Sequence, residues 1–92
     1  MTAASSPVVP DPHLFLLRPV GSPRARVCEE CARLGTPWVH LRQCLTCGEI
    51  LCCDSSPMRH ARGHAGATGH VIVRSIEPGE SWRWCYADEQ FV

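Results

Sequence analysis

The chain has 92 residues, with nine arginines and no lysine balanced by nine acidic residues for a formal net charge of zero. That length makes one domain with a modest buried interior. The charge balance offers no electrostatic funnel for nucleic acid, and no apolar run approaches the roughly 20 residues of a membrane helix.

Residues 1–10 are small and proline-containing and read as a disordered tail, with the folded domain expected over residues 11–92. Asp11-Pro12-His13-Leu14-Phe15-Leu16-Leu17 is the first stretch with material to bury. Pro19, Gly21 and Pro23 mark residues 18–26 as loop. Cys28-Glu29-Glu30-Cys31 opens a helical turn that Gly35 ends and Pro37 forbids from continuing. Residues 38–42 alternate and predict a strand, with Val39 and Leu41 on one face and Trp38, His40 and Arg42 on the other. In Cys44-Leu45-Thr46-Cys47-Gly48 the glycine supplies a tight return, and residues 49–52 predict a second strand. Ser56-Pro57 pairs an N-cap serine with a proline suited to the first helical position, which predicts a helix over residues 57–65 that stops at Gly66. Gly63 inside that helix costs up to about 1 kcal/mol relative to alanine, so something besides propensity must hold it. Residues 70–74 are β-branched and predict a strand. Pro78-Gly79 marks a turn, and residues 81–86 alternate again with Trp82, Trp84 and Tyr86 on one face. The expected fold is a small α+β domain with a short antiparallel sheet and one main helix.

Seven cysteines are an odd number, so disulfides alone leave one thiol over. The two Cys-x-x-Cys pairs come with nearby histidines, which a disulfide scaffold does not require. Residues 1–9 carry no basic region and no long apolar core of a secretory leader. Together these features point to zinc in a reducing, cytoplasmic setting. Each Cys-x-x-Cys gives both thiolates to one ion, so Cys28/Cys31 and Cys44/Cys47 seed either one shared site or two. Two sites use eight donors, and eight are present once Cys52, His60, His64 and His70 are counted. His60 and His64 lie four apart on the predicted helix, so they serve one ion together or one ion each. Structural zinc is worth on the order of 10–16 kcal/mol in small peptides, which matches or exceeds the ~5–15 kcal/mol of a whole domain.

The order of these motifs resembles the UBP-type zinc finger, the ubiquitin-binding module of ubiquitin-specific proteases. The resemblance runs from Cys28 to about Phe91: two Cys-x-x-Cys pairs, Cys52 five residues on, two helical histidines, then Thr68-Gly69-His70 before an apolar strand. Cys52-Cys53-Asp54-Ser55-Ser56-Pro57 and Glu77-Pro78-Gly79-Glu80-Ser81-Trp82 are most similar to small stand-alone bacterial members. The resemblance implies a cross-brace, with Cys28, Cys31, Cys52 and His60 on one ion and Cys44, Cys47, His64 and His70 on the other. Two zinc ions are thus expected. Larger members hold a third with an N-terminal Cys-x-His and a C-terminal Cys-x-x-Cys; here Asp11, His13, Cys85 and Asp88 occupy those places and form a candidate third site.

The family also walls a pocket for a free C-terminal Gly-Gly with aromatic side chains, and Trp84, Tyr86 and Phe91 match those positions. Where the family has an arginine shortly after the cysteine matching Cys52, this chain has Asp54. Closed, four-ligand sites argue against catalysis. The resemblance therefore implies a non-enzymatic protein-interaction module for the C-terminal tail of a protein or peptide. Two other functions compete. Arg33, Arg42, Arg59 and Arg62, with aromatics to stack bases, would serve nucleic-acid binding. Oxidation of Cys52 or Cys53 would make a zinc and thiol redox switch. Cys53 and His40 are otherwise expected to be ordinary packed or partly exposed residues.

Overall fold

Five short strands form one antiparallel sheet in the computed structural model, which describes residues 11–92; the tail expected over residues 1–10 lies outside the described residues. The elements are a 3-10 turn (Leu14–Leu16), α1 (Glu29–Leu34), β1 (Leu41–Cys44), β2 (Ile50–Cys52), α2 (His60–Thr68), β3 (Ile72–Ser75), β4 (Arg83–Cys85) and β5 (Gln90–Phe91). The sheet order is β2-β1-β3-β4-β5, so the two-residue β5 forms one edge. The expected α+β class with one main helix is what the structure shows. Among the described residues, no helix is long and apolar enough to cross a membrane.

Each turn follows from its residues. Cys28 caps α1, its sulfur accepting the Cys31 amide, and Gly35 closes the helix at φ +74°, a conformation that costs glycine nothing. The β1–β2 return is closed by the Gly48 amide donating to the Cys44 carbonyl at 2.8 Å and the Cys44 amide donating to Glu49 at 2.9 Å. Pairing Leu41 with Cys52 and Gln43 with Ile50 then fixes the register.

Four boundaries stand apart from the sequence expectation. The first strand begins at Leu41, not at residue 38. The Val39 amide is taken by Ser56 Oγ at 2.9 Å, and Val39 is exposed while Leu41 is buried. The helix runs from His60 to Thr68 and not from residue 57 to 65. Ser56 does not cap it, because its hydroxyl is buried against Val39 and Cys53; Cys52 Sγ accepts the His60 amide at 3.2 Å instead. The stop is Gly69 at φ +78°, not Gly66. The third strand begins at Ile72, which leaves His70 outside the ladder.

The interior is divided into three small clusters. Leu41, Ile50 and Ile76 pack with Cys28, Cys31 and Cys52. Leu45, Ile72 and Cys85 gather Leu14, Leu17 and Val20 from the N-terminal segment. Leu51, Ala61 and Val73 back Trp84 and Tyr86. Cysteine thus lies inside two of the clusters. Gln43, only 1% exposed, joins the layers: its Nε2 donates to Gly48 at 3.3 Å and its Oε1 accepts from Arg74 at 2.8 Å.

Candidate metal centres and an adjoining cleft

The fold gathers twelve donor side chains into three groups of four, and within each group the donor atoms all lie within 4.8 Å of one another. None of the seven cysteines is in a disulfide. The first group is Cys28, Cys31, Cys52 and His60; the second is Cys44, Cys47, His64 and His70; the third is Asp11, His13, Cys85 and Asp88. The helix gives one imidazole to each of the first two groups, which answers the question that the spacing of His60 and His64 left open. Cys53 and His40 belong to none of the groups.

The spacing within the groups suits zinc. A tetrahedron with bonds of about 2.0–2.3 Å has edges of roughly 3.3–3.8 Å. His60 Nδ1 lies 3.4, 3.2 and 3.6 Å from the sulfurs of Cys28, Cys31 and Cys52, and Cys31 and Cys52 are 3.8 Å apart. In the second group, Cys47 Sγ and His70 Nδ1 lie 3.5 and 3.3 Å from His64 Nε2. One ring nitrogen has a single proton or a single lone pair, so it cannot satisfy three sulfurs by hydrogen bonding. A shared cation can.

Electrostatics point the same way. Burial pushes the Cys28 thiol up to about 12 and raises Cys47 as well. Without a cation these sulfurs keep their protons, and a coordinated divalent ion removes them. Backbone amides already face the sulfurs: Cys28 accepts from Cys31 at 3.3 Å, and Cys44 accepts from Thr46 and Cys47 at 3.4 Å. His64 turns its Nδ1 toward Glu49 Oε1, which at 3.8 Å is beyond hydrogen-bond distance.

The third group links the two ends of the described chain. His13 Nδ1 lies 2.9 Å from Asp88 Oδ2, 3.2 Å from Asp11 Oδ1 and 3.6 Å from Cys85 Sγ. Burial works to raise the Asp11 carboxyl, but hydrogen bonds from the His13 amide and the Gln90 side chain outweigh it and hold Asp11 below the usual carboxylate range. Neighbouring Asp88, and then Asp11, raise His13 above its ordinary value.

Beside these groups lies a cleft of about 150 Å³ walled by Trp82, Trp84, Tyr86, Phe91, Val73 and Asp54. Phe91 meets Trp84 and Trp82 edge-on, with ring centroids 5.0 and 5.6 Å apart. Two arginines border the walls. The Arg42 guanidinium is 4.4 Å from the Trp82 ring centre, and that of Arg62 is 5.2 Å from Tyr86. Arg62 also donates to Asp54 at 2.6 Å. Burial, and then the Asp54 charge, push the Tyr86 hydroxyl up to about 12, so it stays neutral. Sequence reasoning set Asp54 at the expected pocket but did not pair it with Arg62. Trp82 was legible from its alternation with Trp84 and Tyr86, whereas the Arg62 contact depends on how α2 crosses the sheet.

A family model described as a zinc finger in ubiquitin hydrolases and other proteins matches residues 28–92. Among solved structures, the solution NMR structure of protein RPA1320 from Rhodopseudomonas palustris is similar, with 48% sequence identity and a TM-score of 0.76 over 91% of this chain and 81% of that one. No curated protein matches the chain.

Proposed function

This chain belongs to the family of zinc fingers found in ubiquitin hydrolases and other proteins, and from that premise we propose that it is a protein-interaction module for the C-terminal tail of a peptide or protein. Zinc builds the module. In this reading Cys28, Cys31, Cys52 and His60 hold one ion, Cys44, Cys47, His64 and His70 hold a second, and Asp11, His13, Cys85 and Asp88 hold a third. The first two sets supply four donors each and leave no open coordination position, so the module binds and does not catalyse. Centres so rich in thiolate suit a reducing compartment such as the cytoplasm.

The observation that carries the reading is the aromatic cleft, two of whose walls, Trp82 and Tyr86, each have a guanidinium group against the ring. Flat rings favour a tail ending in glycine, because a larger side chain would collide with them. The terminal carboxylate needs a cationic or N–H partner. Asp54 stands where the family has an arginine, yet its charge is met by Arg62, and Arg62 is the anchor proposed for the tail. The net charge of zero weighs against nucleic acid, and Arg33 is engaged with Glu30 and Arg42 with the Trp82 face.

The test is an NMR titration of the zinc-loaded chain with a short peptide ending in Gly-Gly, once as the free acid and once amidated. Shifts at Trp84, Tyr86 and Phe91 with the free acid alone support the reading. Equal shifts with both forms, or none with either, overturn it.

A further inference from the structure

The third donor group differs from the other two in chemistry and in position. Two of its four donors are carboxylates where the others have thiolates or imidazoles. Carboxylate is a harder ligand, and soft thiolate is what selects zinc most strongly. Its exposure also differs from that of the first group: the His13 and Asp88 side chains are 31% and 33% exposed, whereas Cys28, Cys31 and Cys52 are fully buried. Asp11 and His13 lie ahead of residue 28, outside the segment that the family model matches.

Its position ties it to the cleft. Cys85 sits in β4 directly between Trp84 and Tyr86, the two side chains that wall the slot. Asp88 is in the turn that joins β4 to β5, next to Glu89, whose φ of +51° is strained for a residue with a side chain. Gln90 pairs with Cys85 across the ladder and donates to Asp11 Oδ2 at 2.9 Å. Phe91 pairs with Trp84. So the edge strand that carries one wall of the cleft contains two residues, both exposed, and a strand that short has little stability of its own. Beyond its ladder it is held by the Phe91 ring contacts with Trp82 and Trp84, by Arg83 donating to the Val92 carbonyl at 2.7 Å, and by the group formed by Asp11, His13, Cys85 and Asp88, which alone ties it to the other end of the described chain: His13 and Asp88 are 75 positions apart in sequence.

We propose that this group is an exchangeable zinc site, weaker than the two thiolate-rich centres, whose occupancy orders the β4–β5 hairpin and so controls the aromatic cleft. With the ion bound, Asp88 and Asp11 are drawn to one point, β5 is held to β4, and Phe91 stands against Trp82 and Trp84. With the ion gone, like-charged Asp11 and Asp88 share only His13, the strained turn relaxes, and the Phe91 wall is released. The cleft is then available in proportion to free zinc, while the remainder of the fold stays intact. Only the last step rests on the tail-binding reading; the response of the hairpin to zinc is read without any peptide.

The experiment is a graded chelator titration of the fully loaded chain, counting zinc released per chain while following amide and indole resonances. The expected result is three ions at saturation. One is released at a free-zinc level at least about tenfold above the level at which the other two leave, the order of change that altered metal surroundings produce. That first release shifts Trp84, Phe91 and Gln90 and leaves Ile50 and Leu41, in the separate cluster around Cys28 and Cys31, unmoved. Asp88→Asn and Asp11→Asn bind two ions and give the hairpin spectrum of the two-zinc chain. Three ions leaving together, only two at saturation, or a first release that leaves Trp84 and Phe91 unchanged would each overturn the proposal. Should Asp88→Asn fail to fold, Asp11→Asn and the chain titrated without substitution still decide it. A hairpin that answers zinc beside a cleft that ignores the peptide overturns the tail reading and leaves this one standing.

Discussion

His60 and His64 stand one turn apart on α2, yet their imidazoles enter different groups: His60 Nδ1 lies 3.2 Å from Cys31 Sγ, and His64 Nε2 lies 3.5 Å from Cys47 Sγ. The helix is therefore the tie between two centres. Little else holds it. Arg59 at its N-terminus provides no side-chain cap, and the buried residues on its inner face are Ala61 and Ala65.

Metal removal should unfold the chain. Three small clusters of apolar residues replace a single large core, while structural zinc contributes on the order of 10–16 kcal/mol per site in small peptides against about 5–15 kcal/mol for a whole domain. A strong chelator in excess is expected to abolish NMR dispersion and the far-ultraviolet helix signal together, and zinc to restore both. Native dispersion surviving in metal-free protein would show that packing alone carries the fold.

Within α2 the two kinds of glycine should respond in opposite directions. A Cβ at Gly63 meets nothing within 4 Å, and the helical backbone there suits alanine, so Gly63→Ala is expected to stabilise by about 0.4–1 kcal/mol. Gly69 also has open space but sits at φ +78°, where a side chain costs roughly 1–2 kcal/mol. Gly69→Ala should therefore destabilise. Denaturant midpoints of the zinc-loaded variants, at fixed free zinc, check the signs.

Ser56→Ala should cost about 1 kcal/mol without shortening the helix. The hydroxyl is buried and accepts the amide of the exposed Val39, and a typical hydrogen bond contributes about 0.5–1.5 kcal/mol net. Because α2 begins at His60, its ellipticity should not change. A loss of helical signal at full zinc occupancy would restore the capping role that the sequence suggests.

That case shows where sequence was legible and where it was not. Short-range chemistry reads well. Cys28 with Cys31, and Cys44 with Cys47 and Gly48, are close in the chain, and their returns are set by local hydrogen bonds. The α+β class follows from the same punctuation. Element ends read poorly, because distant partners set them. Cys52 Sγ caps α2 in place of Ser56, and Ser56 draws residue 39 out of the strand pattern. Gln43 gave no sequence signal as the side chain that joins Gly48 to Arg74, since an alternating strand pattern assigns it a face and not a role. The meeting of Arg62 with Asp54 likewise needs the packed position of α2.

Asp54→Asn separates the two roles of that pair. The ion pair is exposed, with both side chains 43% accessible, and exposed pairs contribute about 0.2–1 kcal/mol at most. Folding should therefore change by less than about 1 kcal/mol, and zinc content not at all. Binding should move more visibly. Removing the carboxylate takes a negative charge from the cleft wall and leaves Arg62 free to meet the tail. At 1.4 kcal/mol per tenfold, a gain of the same size as the lost pair corresponds to an increase of up to about fivefold in affinity for a free-acid peptide. An amidated peptide should show no such gain. If the substitution weakens binding of the free acid, the cleft uses Asp54 itself as an acceptor, and a ligand with a positive group would then fit the aromatic walls better than a C-terminal carboxylate.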